Sequence, residues 1–374
     1  MPVHPVIKAD AYGHGVLPVA RALVEAGADG FCVATFDEAL ELRSAGIEAP
    51  ILVLYPIPPA LAAEARGARI AITVGDDELL AAILAAAGSA PGSAADSAPL
   101  ELQLEVETGL GRGGFAVDHV VLAARLIEAS PATRFAGLWT HLQAAEDAPR
   151  TAAQVARYEA AASALERSGV RLPPRHVAAS GGLLVDGVAS LDAVRPGLMT
   201  YGIAPDELGL GRGAVALRPA LSLHARPVRV ADLPAGWGIS YGPTFTTARP
   251  SRIATLPLGY GDGWPRSLSN RAEALVRGLR VPLVGNVAMD GVMADVTDVP
   301  GPPVDAADEF VLIGAQEGDG ITATDIAAAR GTNSWEVLTG LSARLPRVYH
   351  AASVPRELRT LAGHSADARR PMRP

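Results

Sequence analysis

A single cysteine, Cys32, stands in 374 residues, so no intrachain disulfide can form and no thiolate cluster can hold a metal. Long hydrophobic runs are missing too: the longest, Leu79–Ala87, is mostly alanine and far short of the roughly 20 residues a bilayer requires. The opening stretch MPVHPVIKADAYG has no apolar core of a secretory signal. Positive charge is not in excess. Lys and Arg total 32 against 40 Asp and Glu, a net charge of -8, which argues against general affinity for nucleic acid or an anionic membrane. The default expectation is a soluble cytoplasmic protein. What remains is ample core material. Apolar residues make up 49% and charged residues 19%, which excludes a wholly disordered chain, and the length suits one large domain or two ordinary ones.

Through the first two hundred residues, β-rich runs alternate with alanine-rich amphipathic stretches. Candidate strands are Val3–Lys8, Gly30–Ala34, Ile51–Tyr55, Arg69–Val74, Glu101–Val106, Arg134–His141, Arg175–Ala179 and Ala193–Met199. Helical candidates between them include Leu17–Ala26, Phe36–Ser44, Asp76–Ala87, Val117–Glu128 and Thr151–Arg167. Eight strands in strict alternation with helices predict a parallel sheet closed as a (β/α)₈ barrel over residues 1–214, with a doubly wound open sheet as the alternative. From about Leu217 short β-rich runs separated by Gly, Pro and Asp turns predict a mainly β domain over residues 215–374. One helical stretch, Ala323–Leu341, interrupts it. Gly88–Pro99 reads as a small-residue loop and Ser365–Pro374 as a frayed polar tail.

Gly109-Leu110-Gly111-Arg112-Gly113-Gly114 satisfies the dinucleotide pattern G-x-G-x-x-G between a strand and a helix. The acidic residue expected about 20 positions on, at the end of a second strand, is missing: Glu128 falls in a helical stretch. GLGRG recurs at 209–213, which suggests composition rather than a nucleotide site.

A barrel carries its chemistry in the loops after its strands. There the chain places Lys8, Glu105, Glu107, Arg112, His141, Ser180, Arg195, Gly197 and Leu198. Alone, Lys8 reads more readily as a solvated strand-end lysine, and His141 as a satisfied core histidine. Together they form a pattern. Burial at a strand end lowers a lysine's pKa and frees its amine as nucleophile or base. Ser180 and the Gly197-Leu198 amides follow strands seven and eight, where barrels commonly bind phosphate. A freed amine beside a phosphate cradle is what an enzyme holding pyridoxal 5′-phosphate as a Schiff base needs.

The segment VIKADAYGHG resembles the pyridoxal-lysine signature of the alanine racemases. The likeness extends through GLWTHLQAAED, RHVAAS, VRPGLMTYG, LRPALSLHARPVRV, GISYGPTF, PLGYGDGWPR, VGNVAMD and GTNSWEVLTGLSARLPRVY, in family order over nearly the whole chain. The resemblance implies a barrel plus a β domain, and a homodimer whose active sites use residues of both subunits. It implies that Lys8 is the Schiff-base lysine and the base for D-alanine, and Tyr241, from the partner subunit, the base for L-alanine. Tyr12, Ser180, Gly197 and Leu198 would hold the phosphate, and Arg195 the pyridine nitrogen, backed by His176. His141 would pack on the cofactor ring. Arg112 and the Met289 backbone would take the substrate carboxylate, and Tyr260 would narrow the entry in favour of small side chains. D-Alanine made in this way supplies peptidoglycan.

Four positions depart from the family pattern. The family has a strand and a helix ahead of the signature, whereas only seven residues precede Lys8 here, so residues 1–7 must serve as the first strand. That shortening is expected to lower stability. Glu105 stands where many relatives carry a carbamylated lysine and would supply the negative charge directly. Trp335 stands in place of a phosphate-binding tyrosine and keeps one N–H donor. Ala179 and Ala288 replace residues that are often Asn and Cys. Other activities on the same scaffold remain: a racemase of serine or another amino acid, an inactive racemase, a decarboxylase, or a non-catalytic pyridoxal-phosphate-binding barrel. Arg195 opposes the decarboxylase, which uses a glutamate there, and the β domain with Tyr241 opposes the non-catalytic barrel.

Overall fold

The computed structural model describes residues 1–88, 98–186, 188, 190–209 and 216–365. The loop expected at Gly88–Pro99, the tail at Ser365–Pro374 and the second GLGRG therefore fall almost entirely outside the described residues. Two compact units form, Met1–Ala11 with Gly15–Leu217, and Tyr12–His14 with Arg218–Pro374.

In the first unit six strands run parallel in the order Phe31–Val33, Ile51–Val53, Ile70–Val74, Leu100–Glu105, Thr133–Trp139 and Arg175–His176. Two further segments close the ring. Residues 3–7 pair in parallel with Cys32 on one side and Val194 on the other, and Arg195 pairs with Ala179. The sheet is thus a closed eight-membered barrel, not an open doubly wound sheet. The closing segments are irregular because Pro2, Pro5 and Pro196 have no N–H to give the ladder. Their carbonyls still accept, from Val194, Cys32 and Val6 respectively. Both faces of the short strands are apolar and buried, as parallel strands under a layer of helices require.

Helices Val16–Glu25, Phe36–Ser44, Asp77–Gly88, Val120–Ala129 and Ala148–Arg167 return the chain between strands. Ala62–Gly67 adds a short helix that alanine content alone did not signal. Phe36–Ser44 starts at a capping box in which Thr35 and Glu38 satisfy each other's end groups. The eighth strand is shorter than Ala193–Met199. Gly197 turns the chain, and Leu198–Tyr201 forms a 3₁₀ turn.

The second unit is built mainly on antiparallel strands. Its large sheet runs Asp319–Ile321, Phe310–Gln316, Glu273–Val276, Leu279–Val284, Val292–Asp295, Ser251–Leu256, Arg229–Leu233, and Leu223–Ala225 pairs with Phe310–Gln316. Arg277 and Gly278, both at positive φ, make a two-residue hairpin turn, and Glu317 and Gly318 make another. Ile239, Ile253 and Val284 cluster in its core. Three more strands, Arg347–Ala351, Val354–Thr360 and Gly363–Ser365, form a separate antiparallel sheet. The single helical stretch expected over Ala323–Leu341 is two helices, Ala323–Arg330 and Ser334–Thr339. Gly331 at φ 76° ends the first, and the Asn333 side chain caps the second. Among the described residues no helix is long and apolar enough to cross a membrane.

Candidate active site

Lysine occurs once in the chain, at position 8. That count alone singles the residue out. Lys8 ends the first barrel segment, and burial, then the charge of Arg112, pull its pKa below that of an ordinary lysine. The four residues after it, Ala9, Asp10, Ala11 and Tyr12, all have φ between 51° and 53°. This is a left-handed turn without a glycine, a conformation costing about 1–2 kcal/mol per residue. Neighbouring groups pin it. The Glu38 carboxylate accepts the N–H groups of Ala9 at 2.6 Å, Ala34 at 2.7 Å and Thr35 at 3.1 Å. Asp10 Oδ1 accepts from Val16 N–H at 2.8 Å.

Arg195 is buried in the barrel and tied through both of its terminal nitrogens. Its Nη1 donates to the His176 carbonyl at 3.0 Å and to His176 Nδ1. Its Nη2 donates to the carbonyls of Thr140 at 2.8 Å and Val177 at 3.4 Å. Trp139 lies against the guanidinium, 4.9 Å from ring centroid to Cζ, and is stacked with His176. A guanidinium has five N–H donors. Four are spoken for here, which leaves the Nε–H for a ligand acceptor. His141, two residues past the Thr133–Trp139 strand, is held near pKa 3 by burial and then by the charge of Arg195, so its ring is neutral. Gln154, which sequence reasoning did not find, donates to the His141 carbonyl at 3.2 Å.

Ser180 opens a short helix after Ala179. Its Oγ accepts the Gly197 N–H at 2.8 Å and the Met199 N–H at 3.2 Å. The Gly197 amide is therefore used inside the protein. The hydroxyl proton of Ser180 and the Leu198 N–H at the head of the 3₁₀ turn remain as donors at this end of the barrel.

Glu105, at the end of its strand, accepts from Arg112 Nη2 at 3.1 Å. Burial raises the Glu105 pKa, and the Arg112 charge opposes that rise. The Tyr55 ring covers the Arg112 guanidinium from another side, 5.4 Å from Cζ to centroid. The glycine-rich loop carrying Arg112 is no phosphate cradle. Its Gly109 and Gly111 N–H groups both donate to the Glu107 carboxylate, which repels an anion.

In the second unit Tyr241 sits on an exposed turn. Asn286, another residue the sequence did not point to, donates from Nδ2 to the Tyr241 and Gly242 carbonyls, each at 2.9 Å. Ser240 donates back to the Asn286 carbonyl at 2.6 Å. Tyr260 and Gly261 donate through their amides to the carbonyls of Ala288 and Met289, which brings the Tyr260 and Met289 segments side by side. Gly259 has no room for a side chain, because a Cβ there would lie 2.2 Å from the Ala288 carbonyl oxygen. Arg344 clamps the same loop through Asp262 at 3.0 Å and Asp290 at 2.6 Å. Trp335 lies on the Ser334–Thr339 helix, half-buried, and Tyr12 is buried. In sum, the first unit gathers Lys8, Glu105, Arg112, His141, His176, Ser180, Arg195, Gly197 and Leu198, and the second carries Tyr12, Tyr241, Tyr260, Met289 and Trp335.

A parallel barrel with an amine at one strand end and a one-donor guanidinium in its lumen defines an enzyme that captures a small ligand in the barrel mouth. Residues 1–205 match the alanine racemase N-terminal domain and residues 220–349 the alanine racemase C-terminal domain. The chain belongs to the alanine racemase family, a family of isomerases. It is 44% identical over 348 residues to an alanine racemase of Symbiobacterium thermophilum, covering 92% of this chain and 89% of that one. The structure of alanine racemase from Bacillus anthracis with bound L-Ala-P superposes with a TM-score of 0.86 at 34% identity, covering 96% and 90% of the two chains. The alanine racemase of Streptomyces coelicolor superposes with a TM-score of 0.84 at 36% identity, covering 93% and 91%.

Proposed function

We propose that this chain is a cytoplasmic, pyridoxal 5′-phosphate-dependent alanine racemase that interconverts L- and D-alanine and so supplies D-alanine for peptidoglycan. The observation that carries the reading is Arg195, buried with all but its Nε–H given to protein acceptors. That single donor suits an unprotonated aromatic nitrogen, since a guanidinium does not surrender its proton. The donor set fits the cofactor at the other positions as well. Lys8 would bind its aldehyde carbon, His141 its ring face, and the Ser180 hydroxyl, the Leu198 amide, Tyr12 and Trp335 its phosphate.

Bound there, the cofactor supplies an electron sink that acidifies the Cα–H of an attached amino acid. The residues of the chain do the rest. Racemisation requires a proton to leave one face of Cα and another to arrive on the opposite face. The Lys8 amine, already shifted toward its neutral form by burial, handles the D-face proton. The Tyr241 phenol of a second copy handles the L-face proton in a homodimer with shared sites. Arg112, aimed by Glu105, receives the substrate carboxylate together with the Met289 amide, and Tyr260 limits the side chain to a small one. Arg195, which does not give up its proton, would leave the cofactor's ring nitrogen unprotonated, which disfavours transamination.

The test is a coupled assay of the purified protein with added cofactor on L- and D-alanine, with L-serine in parallel. Borohydride reduction followed by peptide mapping should place the pyridoxyl label on Lys8. A label elsewhere, or turnover of serine without alanine, overturns the reading.

A further inference from the structure

The barrel strands beside His176 contain an irregularity that the mechanism above does not use. Leu100–Glu105 pairs with Thr133–Trp139, but the register shifts after Leu102: Leu102 faces Phe135 and Gln103 faces Gly137, so Ala136 is an extra residue. Gly137 makes room for the Gln103 amide. A Cβ at 137 would lie 2.5 Å from both Gln103 Cδ and Oε1. The amide uses that space to reach the barrel histidine, with Oε1 2.8 Å from His176 Nε2.

The donor arithmetic of this chain has one solution. Arginine only donates, so His176 Nδ1, which meets Arg195 Nη1, must present its lone pair. Burial lowers the His176 pKa well below its ordinary value, so the ring carries one proton, and that proton sits on Nε2. The atom facing Nε2 must then be an acceptor, which the Gln103 oxygen is and its amide nitrogen is not.

We propose that Gln103 is a positioning residue: its amide oxygen fixes the His176 proton on Nε2, keeps Nδ1 as an acceptor for Arg195, and so holds the Arg195 Nε–H toward the ring nitrogen. The last clause rests on the function proposed above. The first two concern the protein alone. Without that oxygen the Nε2–H is buried without a partner, and the imidazole gains by taking its proton on Nδ1. An Nδ1–H opposes an Arg195 N–H, and the guanidinium loses one of the two acceptors that orient Nη1.

The experiment uses three variants. Gln103→Leu removes the acceptor, Gln103→Glu keeps the acceptor and adds charge, and Gly137→Ala displaces the amide while leaving Gln103 in place. Two-bond ¹H–¹⁵N correlation spectra of ring-labelled histidine in the cofactor-free dimer report the tautomer directly. Wild type should show His176 protonated only on Nε2. The Leu and Ala variants should show Nδ1–H character, and the Glu variant, which keeps an acceptor facing Nε2, should keep the wild-type tautomer. An unchanged His176 signature in whichever of the Leu and Ala variants fold, or a changed tautomer in the Glu variant, overturns the proposal. In loaded enzyme the Leu and Ala variants should shift the cofactor's absorption and lower kcat about ten- to a hundredfold, with KM for alanine little changed, and the Glu variant should stay closer to wild type. If the tautomer moves but neither absorption nor kcat follows, the positioning role is overturned. The spectra of the cofactor-free protein decide the tautomer question even if the chain proves not to racemise alanine.

Discussion

The groups assigned to the site differ sharply between the two units. In the barrel the innermost are sunk in the core, Arg195 and His176 each 2% exposed and Ser180 5%, while Lys8 and His141 are partly buried and Arg112 is exposed. In the second unit Tyr12 is buried and Trp335 half-buried, but Tyr241 is 80% exposed, Met289 53% and Tyr260 44%. The barrel groups are fixed by what surrounds them, since every polar atom there must find a partner or pay for desolvation. The second unit fixes backbone instead. Asn286 and Arg344 hold the loops, and the side chains stand out from them. Such a surface suits groups that act on a neighbouring molecule, whereas a lumen suits groups that must not move.

Substitutions in the two regions should therefore separate activity from stability. Lys8→Ala should abolish racemisation, a fall of at least about 10⁴-fold in kcat, because it removes both the cofactor's anchor and one base. Steady-state assay with saturating cofactor checks this. Tyr241→Phe should reduce Cα–H exchange from L-alanine by about 10²–10⁴-fold and from D-alanine far less, as proton NMR in D₂O would show. Its melting should move by less than the equivalent of about 0.5 kcal/mol, because the phenol is exposed.

Arg195→Leu reverses that profile. It strands the acceptors at His176, Thr140 and Val177, and should cost about 3 kcal/mol or more in denaturant titration even without cofactor. The smallest effect is expected at Glu105. Glu105→Gln removes the charge that aims Arg112 and should raise KM for alanine about tenfold, near the lower value of a charged hydrogen bond. The wild-type KM should also depend on pH. Burial raises the Glu105 pKa, so as pH falls the carboxyl takes up a proton above the usual carboxylate range, Arg112 loses its partner, and KM climbs. In the Gln variant that acid limb should disappear.

The same contrast explains what the amino-acid sequence revealed. Barrel strands such as Ile70–Val74 announce themselves because parallel strands are apolar throughout, and Lys8, His141 and Arg195 stand out as polar residues at their ends. Glu38 was legible and overlooked: Thr35-Phe36-Asp37-Glu38 is a capping-box pattern, though nothing in it says that the carboxylate also reaches Ala9. The left-handed turn after Lys8 was not legible, because Ala-Asp-Ala-Tyr contains no glycine and tertiary contacts override the local preference. Gln103 reaches across the sheet and Gln154 reaches from the helix Ala148–Arg167, 73 and 13 residues from their partners His176 and His141, and such contacts have no local signature. The division of Ala323–Leu341 into two helices could have been read from Gly331-Thr332-Asn333, a stop followed by a cap.

In the proposed dimer a buried half-site in one copy of the chain is completed by an exposed half-site from another. Lys8→Ala and Tyr241→Phe proteins, each inactive, test it when mixed under conditions of confirmed subunit exchange. Random reassociation makes half of the dimers mixed, and each mixed dimer has one site with both bases. About a quarter of wild-type activity should therefore return. No recovery, with mixed dimers demonstrated by mass spectrometry, would contradict the shared site.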